Sequence, residues 1–510
     1  MWARPASAVV RSCRNSRPPA QAACPNVSRA APSGSRSSIS HRANTQASIW
    51  SRSPARTGLA TCSTRARPSV PKRGPPRMID HDRGGADAIP GLRQNSTIIH
   101  WHYCPRNRDN PGPKSALEQP MNIQTAAKAP HSAVELDHQR YLEVRDTSLK
   151  ELLMHAARRS GRSVFQIQRE FRQMARSHSR LNMVEYVRHG LFRHDRFTDE
   201  QRAAYISNDL HWDMTHKCNN RAWSGAAEDK VLAGTILAAG GVPVPPILAV
   251  IDRSPRLYPG IAKITSPEAL RDVLCAQGGA VFGKIVDGMV SFGAFRVDGA
   301  DSTHLRCAGQ PPMTYAGFLD DFVGANAYLL QPALENHPEI ARFAPALATV
   351  RMVNMVREDG VCCPLAVIKL PQGGHIADAF WRPGNLACEV DVATGAIRTI
   401  AERAGPEIAF HEDHPQVPGL MGMTLPHWQK LIEINARAAQ LFAPIRYQST
   451  DIAITPEGPV IVELNYGGGF DLPQYASGRG MLTPEVRAFF ESHGWSFEPL
   501  KRKLSLLGLG

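Results

Sequence analysis

One stretch limits the folds open to this chain more than any other. Asp451-Ile452-Ala453-Ile454-Thr455-Pro456-Glu457-Gly458-Pro459-Val460-Ile461-Val462-Glu463-Leu464-Asn465 places two alternating apolar runs on either side of a Pro-Glu-Gly turn. The pattern predicts a β-hairpin centred on Glu457, with strands over 450–455 and 459–465 and with Asp451 directly across from Glu463. Facing residues of such a pair project to one side, about 4.5–5.5 Å apart at Cβ. Asn465 lies two residues beyond Glu463 and shares its face. Two carboxylates that close repel unless a cation sits between them. Hard oxygen ligands of this kind suit Mg²⁺, which takes a few carboxylates plus substrate phosphates. A plain hairpin with solvated acids fits the same residues, and the hairpin alone leaves both readings open.

Four further segments carry candidate chemistry. Val281-Phe282-Gly283-Lys284-Ile285-Val286-Asp287-Gly288-Met289-Val290-Ser291-Phe292-Gly293 delivers a lysine on an apolar strand, followed by a glycine-bearing loop. A lysine is a compact charge for phosphate oxygens, and glycines let backbone N–H groups approach them. The loop lacks the GxxxxGK[ST] spacing of a P-loop. Glu228-Asp229-Lys230 opens a helix that ends before Gly240-Gly241-Val242-Pro243-Val244-Pro245. Tyr328-Leu329-Leu330-Gln331-Pro332-Ala333-Leu334-Glu335-Asn336-His337-Pro338 runs from a strand into a polar turn. Thr349-Val350-Arg351-Met352-Val353-Asn354 buries an arginine in an apolar strand. That arginine needs an anionic partner, because an unpaired buried charge is costly. Either a ligand or a structural carboxylate would serve.

Around these segments helices and strands alternate: helices over 227–239 and 425–443, strands over 244–250, 280–286, 290–297, 327–331, 348–356 and 362–369. Residues 121–210 read as helices, with Thr198-Asp199-Glu200-Gln201 as a capping box. They carry no evident chemistry and are expected to pack on the main body. The pattern is mixed α+β. It lacks the regular βαβ repeat and GxGxxG turn of a dinucleotide-binding fold, and it has no repeat of 20–50 residues.

The order of the segments resembles the ATP-grasp superfamily, and within it the sugar-transfer-associated ATP-grasp family, over about residues 205–480. The resemblance implies two α+β subdomains gripping ATP, 211–330 and 331–495, with a helical N-terminal extension over 121–210. It implies that Lys230 and Lys284 contact the ATP phosphates and that the 283–293 loop, with Gly288 and Ser291, folds over them. Gln331 and the backbone near Leu334 would meet the adenine at the hinge. Arg351 and Lys369 would serve the transferring phosphoryl group. Asp451 would hold one Mg²⁺, Glu463 would bridge two, and Asn465 would complete the second. Two departures qualify this. Gln331 stands where many ATP-grasp enzymes have Glu, and Gln372-Gly373-Gly374-His375-Ile376-Ala377-Asp378-Ala379-Phe380 replaces the usual substrate-side run.

The implied activity is ATP- and Mg²⁺-dependent ligation of a carboxylate to an amine or other nucleophile through an acyl phosphate, with saccharide or cell-envelope substrates suggested by the family's name. Two alternatives stay open: a kinase that phosphorylates a hydroxyl, and a non-catalytic nucleotide-binding protein. The sequence contains no GxSxG elbow and no persuasive Cys/His pair. His211, His216 and Cys218 read as packing or surface residues.

Charge excludes one class of partner. Lys and Arg number 59 and Asp and Glu 46, for a net of +13. Residues 1–120 hold 19 basic and 5 acidic groups, so the other 390 hold 59 − 19 = 40 and 46 − 5 = 41. The excess positive charge belongs to an Arg/Ser/Pro-rich segment expected to be a disordered tail. It could also precede a true start at Met121, or mimic a transit peptide. The rest is not a broadly basic nucleic-acid binder. Val231 to Ile251 is uncharged, but its glycines and prolines argue for a helix, a turn and a strand rather than a membrane span. Ten cysteines without CxxC or zinc-like spacing fit a reducing, cytoplasmic setting.

Overall fold

The computed structural model describes residues 132–500 other than 146, 289, 290 and 381. The basic segment 1–120 lies outside the described residues. Two seven-stranded sheets form the body. The first contains β1 (Ala249–Ile251), β2 (Lys263–Ile264), β3 (Val281–Ile285), β4 (Phe295–Ala300), β5 (His304–Cys307), β6 (Met313–Thr314) and β7 (Tyr328–Pro332), in the order β2-β1-β7-β3-β4-β5-β6. The second contains β8 (Thr349–Arg357), β9 (Gly360–Leu370), β10 (Leu386–Val390), β11 (Ala401–Ala404), β12 (Glu407–Phe410), β13 (Tyr447–Thr455) and β14 (Gly458–Asn465), in the order β12-β11-β10-β9-β8-β13-β14. Among the described residues only β1 and β2 pair in parallel. The fold class is α+β, as expected.

Each sheet packs one face on helices. Behind the second, Val350, Met352, Ile368, Ile452 and Ile461 pack against Leu431, Ile432 and Ala438 of the helix Trp428–Leu441 and Leu237 of the helix Lys230–Ala239. Behind the first, Val281, Phe295 and Leu330 pack on Leu270 and Leu274 of the helix Pro267–Gln277, which Ser266 and Pro267 open as the sequence requires. The opposite faces carry the site's polar residues beside further apolar packing: Val353, Met355 and Tyr447 meet Phe470 and Phe490, and Val250 and Leu329 meet Val231 and Tyr258.

Two predicted strands are shorter than expected. The one over 244–250 shrinks to Ala249–Ile251, because Pro243, Pro245 and Pro246 have no N–H for a ladder. The one over 290–297 begins only at Phe295, since Ser291 and Gly293 take positive φ of 57° and 71° and keep the chain in a turn. The helix expected over 227–239 breaks at Asp229, whose carboxylate caps the N–H groups of Val231 and Leu232.

The helical segment has a core of its own. Ser148, Ser163, Asn182 and Thr198 each form a capping box, and Leu152, Ile167, Tyr186 and Phe192 pack beneath them. Amide side chains fasten it to the second sheet and the residues after it. Gln474 exchanges two hydrogen bonds with the backbone of Ile206 (2.9 and 2.8 Å), and Asn219 donates to the carbonyls of Tyr447 and Tyr466 (2.8 and 2.7 Å). Among the described residues no helix is long and apolar enough to cross a membrane.

Candidate functional site

The hairpin pairs Asp451 with Glu463, as the sequence predicts, but for a different reason. The turn is tighter than a ribbon centred on Glu457 would have it: Thr455 pairs with Gly458, leaving Pro456 and Glu457 between them. A regular ladder from that turn would set Asp451 against Val462. A β-bulge intervenes, with Ile452 opposite Ile461 and Asp451 opposite Glu463, so Val462 is the extra residue. Bulges of this kind re-aim side chains beside functional sites. The carbonyl of Val462 accepts a hydrogen bond from Lys284 Nζ at 2.7 Å, which ties the first sheet to the second.

Register builds the rest of the polar face. Arg351 on β8 pairs with Asp451 on β13, and Asp451 with Glu463 on β14, so the three stand in one row. Thr349 pairs with Lys369, two residues along the same face. Arg351 grips Asp451 with Nε at 2.9 Å and a terminal nitrogen at 2.6 Å. Lys369 Nζ lies 3.3 Å from Asp451 and 3.0 Å from Asp378. Lys230 Nζ reaches Glu463 Oε1 at 3.2 Å and also donates to the carbonyl of Gly288. On the facing sheet Lys284, Phe282 and Gln331 share the side opposite Val281 and Gly283, and Gln331 Nε2 donates to Pro245 O at 3.1 Å.

These faces enclose a cavity of about 560 Å³. Lys230, Lys284, Gly288, Ser291, Gln331 and Leu334 line it, and so do Arg351, Lys369, Asp451, Glu463 and Asn465. All eleven residues singled out in the sequence therefore border one space. Of the 283–293 loop, Met289 and Val290 lie outside the described residues. Gly288 must be glycine, because a Cβ there would stand 2.8 Å from Ile285 Cβ.

Sequence reasoning missed part of the lining. Asp378 enters from the loop after β9 and bonds Thr349 Oγ1 as well as Lys369. The helical segment also contributes a wall, with Glu185, Arg188 and Asp209, which His211 and Trp212 of the helix His211–Cys218 continue. His211 is thus part of the site, whereas its neighbour Cys218 is a buried core residue. No local signal marked these positions; what brings them in is contact across more than 200 residues, such as Asn219 on Tyr447.

Burial and neighbouring charge set the protonation states. Burial alone would push the Asp451 carboxyl up, but Arg351 and Lys369 outweigh it and hold the carboxyl well below the usual range. Burial pushes the Lys284 ammonium down to about 8, with Glu463 drawing it back up and Lys230 depressing it further. Arg351 is charged, its carboxylate neighbours more than offsetting burial. Lys230, Lys284, Arg351 and Lys369 gather around Asp451 and Glu463, and Glu228, Asp378 and Arg296 line the same cavity. Those four cations, grouped on one part of the lining, are the groups suited to holding an anion.

Lys284 gives a pH test. The lysine is charged below about 8 and neutral above, so affinity for a nucleoside diphosphate should fall as pH rises from 7 to 9.5. The nucleotide's own phosphate ionisation (about 6) is complete across that window. Fluorescence titration should show the decline in the native protein and a flat profile in Lys284→Met.

The same donors suit a hard cation. Glu463 and Asn465 offer oxygen ligands of the Mg²⁺ kind, while both oxygens of Asp451 are engaged by Arg351, with Lys369 beside them. Among the described residues no three of His, Cys, Asp and Glu gather into a metal cage. A divalent ion therefore fits here only with further oxygen ligands, such as phosphate.

Comparison with known proteins identifies the class. Residues 313–489 match the family described as "Sugar-transfer associated ATP-grasp", which takes in the whole second sheet and the hairpin. The class of this segment is ATP-grasp. Among solved structures, the chain is similar to the ATP-grasp ligase PsnB complexed with a minimal precursor (16% identity, 54% of this chain and 63% of that one, TM-score 0.29). It is also similar to the VanG D-Ala:D-Ser ligase from Enterococcus faecalis (11%, 53% and 64%, 0.32) and to D-alanyl-alanine synthetase A from Vibrio cholerae (14%, 55% and 64%, 0.31). The chain spans less than two thirds of the length of these structures. No curated protein matches it.

Proposed function

We propose that this protein is an ATP-dependent ligase that joins a carboxylate to an amine or other nucleophile. The observation that carries this is the convergence of Lys230, Lys284, Arg351 and Lys369 over Asp451 and Glu463 in one cavity that also reaches Gln331 and Leu334. In this reading Lys230 and Lys284 hold phosphate oxygens, and Gly288 and Ser291 bring the loop close. Gln331 and the backbone at Leu334 meet the adenine. Asp451, Glu463 and Asn465 would hold Mg²⁺, which when bound would neutralise charge on the phosphate oxygens.

The chain's own residues then position the reaction. A substrate carboxylate oxygen bonds to the γ-phosphorus, the bond to the β–γ bridging oxygen breaks, and ADP leaves. The nucleophile's nitrogen next bonds to the acyl carbon, loses a proton, and phosphate departs. Arg351 and Lys369 face the charge that develops on the phosphoryl oxygens. No nucleophilic side chain is required. The saccharide association in the matched family's description extends this reading to sugar-bearing or cell-envelope substrates.

The test is an ADP-release screen of the full chain over paired carboxylates and amines, including amino sugars and uronic acids, with products read by mass. ADP, phosphate and a new amide are expected. A phosphorylated hydroxyl product would replace the ligase reading with a kinase one. Nucleotide binding without turnover of any pair would favour the non-catalytic alternative.

A further inference from the structure

The helix Ala133–Arg145 is the first of the described chain. It packs on the first sheet: Ala133 is buried in the same apolar core as Phe295 and Tyr328. Against the end of the 283–293 loop it leaves no room. Gly293 has a φ of 71°, and a Cβ there would stand 2.6 Å from both Val134 Cγ2 and the Tyr328 hydroxyl. One turn further along the helix, His138 meets Phe292 edge-on, with ring centroids 6.1 Å apart. Ser291 and Phe292 line the cavity.

Asp137 lies between Val134 and His138 in the helix and is 5% exposed. Its Oδ2 accepts the N–H of Gly293 at 3.1 Å, and its Oδ1 accepts a terminal nitrogen of Arg382 at 3.0 Å. Arg382 belongs to the loop between β9 and β10 of the second sheet. One carboxylate therefore joins a loop of the first sheet to a loop of the second. Removing either member of a buried ion pair strands the other's charge, so the two loops are held together only while both are present.

What Arg382 holds reaches the centre of the site. Its own N–H donates to Ala379 O at 3.1 Å, and Asn385 Nδ2 donates to the same carbonyl at 2.9 Å. Asn385 is buried, and its Oδ1 accepts from the N–H of Gln372 at 2.9 Å and from His375 Nδ1 at 2.6 Å. The loop is stapled to itself, so a displacement of Arg382 passes to Asp378, which stands 3.0 Å from Lys369. A line of contacts runs from Gly293 through Asp137 and Arg382 to Asp378 and Lys369.

We infer that Asp137 is a positioning residue of the nucleotide site and that the helix carrying it is a latch between the two loops. This rests on the nucleotide reading of the cavity. The latch holds the 283–293 loop over bound phosphates and fixes the loop that orients Lys369. Asp137 acts through Gly293 and Arg382 rather than on the nucleotide. The helix Ala133–Arg145 thus has a task at the site besides packing.

The test uses the full chain and two variants. Arg382→Met removes the cation and leaves Asp137 and Gly293 in place. Asp137→Asn/Arg382→Met strands no charge and keeps an acceptor for Gly293, which guards against loss of folding. A fluorescent ADP is loaded with Mg²⁺ and chased with excess ADP. Its release should be at least tenfold faster from both variants than from the native chain. Hydrogen exchange of the nucleotide-free proteins reads the coupling itself. The amides of Gly293 and Ala294 should exchange at least tenfold faster in Arg382→Met, although Arg382 belongs to the other loop. A purely structural role for the pair would loosen residues 371–385 alone. Native release rates in both variants, or faster exchange confined to 371–385, would overturn the latch. Native protein that takes up no Mg–ADP would instead remove the nucleotide reading, and the exchange result would still decide whether the two loops are coupled.

Discussion

Replacing Glu463 with alanine should lower Mg²⁺-dependent ATP turnover on the order of 10³-fold or more while the protein stays folded. The reason is its place in the row. Glu463 is the one carboxylate that faces both Lys230, at 3.2 Å, and the ladder partner Asp451. Removing a single preorganised donor to a developing oxyanion costs about 10²–10³-fold, and Glu463 is proposed to serve two ions. Its side chain is 29% exposed, so its loss leaves no buried cavity. Circular dichroism and the thermal midpoint should move little, and ADP release should vanish. Full turnover in this variant would remove Glu463 from the site and with it the two-ion assignment.

Asp451 should behave differently, with stability as well as activity lost. Its side chain is 4% exposed and is bound by two nitrogens of Arg351, with Lys369 at 3.3 Å. Asp451→Ala leaves the Arg351 guanidinium without its carboxylate. Breaking a buried pair by removing one member costs 3–5 kcal/mol. Arg351 opens partly on the cavity, which favours the lower end, about 3 kcal/mol, and a fall of several degrees in thermal midpoint. The pH dependence has a defined sign. The folded carboxyl titrates below its unfolded value of 3.8, so its stabilisation is fully present above about pH 4. It is lost as pH falls below that. The stability gap between native protein and variant should be constant from pH 5 to 7 and narrow in stronger acid. A gap that widens in acid would mean that Asp451 is not held as an anion by Arg351 and Lys369.

Much of the second sheet was legible because its residues announce local structure. Thr349–Arg357 and Gly458–Asn465 are runs rich in Val, Ile, Leu and Met, Pro456-Glu457-Gly458 marks the turn of the hairpin, and Ser266-Pro267 opens a helix by its own chemistry. The facing of Asp451 and Glu463 was anticipated from a symmetric ribbon, yet the observed turn is asymmetric and the bulge at Val462 restores the register. Nothing in an apolar run of Val and Ile marks which residue will bulge. Lys284 was legible as a strand lysine, but its bond to the Val462 carbonyl was not, since that contact joins positions 178 apart. The helical wall was illegible for the same reason. Asp209 and His211 join the cavity lining only once Gln474 and Asn219 have seated these residues through bonds spanning 268 and 228 residues. Short-range patterns carry propensity and pairing, whereas cavity walls follow from tertiary packing that a single sequence does not display.

The bulge also gives the ribbon a tolerance toward changes in length. Lengthening or trimming both arms together near Pro456 and Glu457 would keep acids and aliphatics on their present sides. Losing the single extra residue at 462 would leave a regular ladder running from Ile452–Ile461 straight to Asp451–Glu463, with the two acids still facing. Keeping that residue but flattening the bulge would instead set Val462 against Asp451 and turn Glu463 to the apolar side. Relatives that vary in length at the tip, or that lack one residue at the bulge, can therefore keep the chemistry.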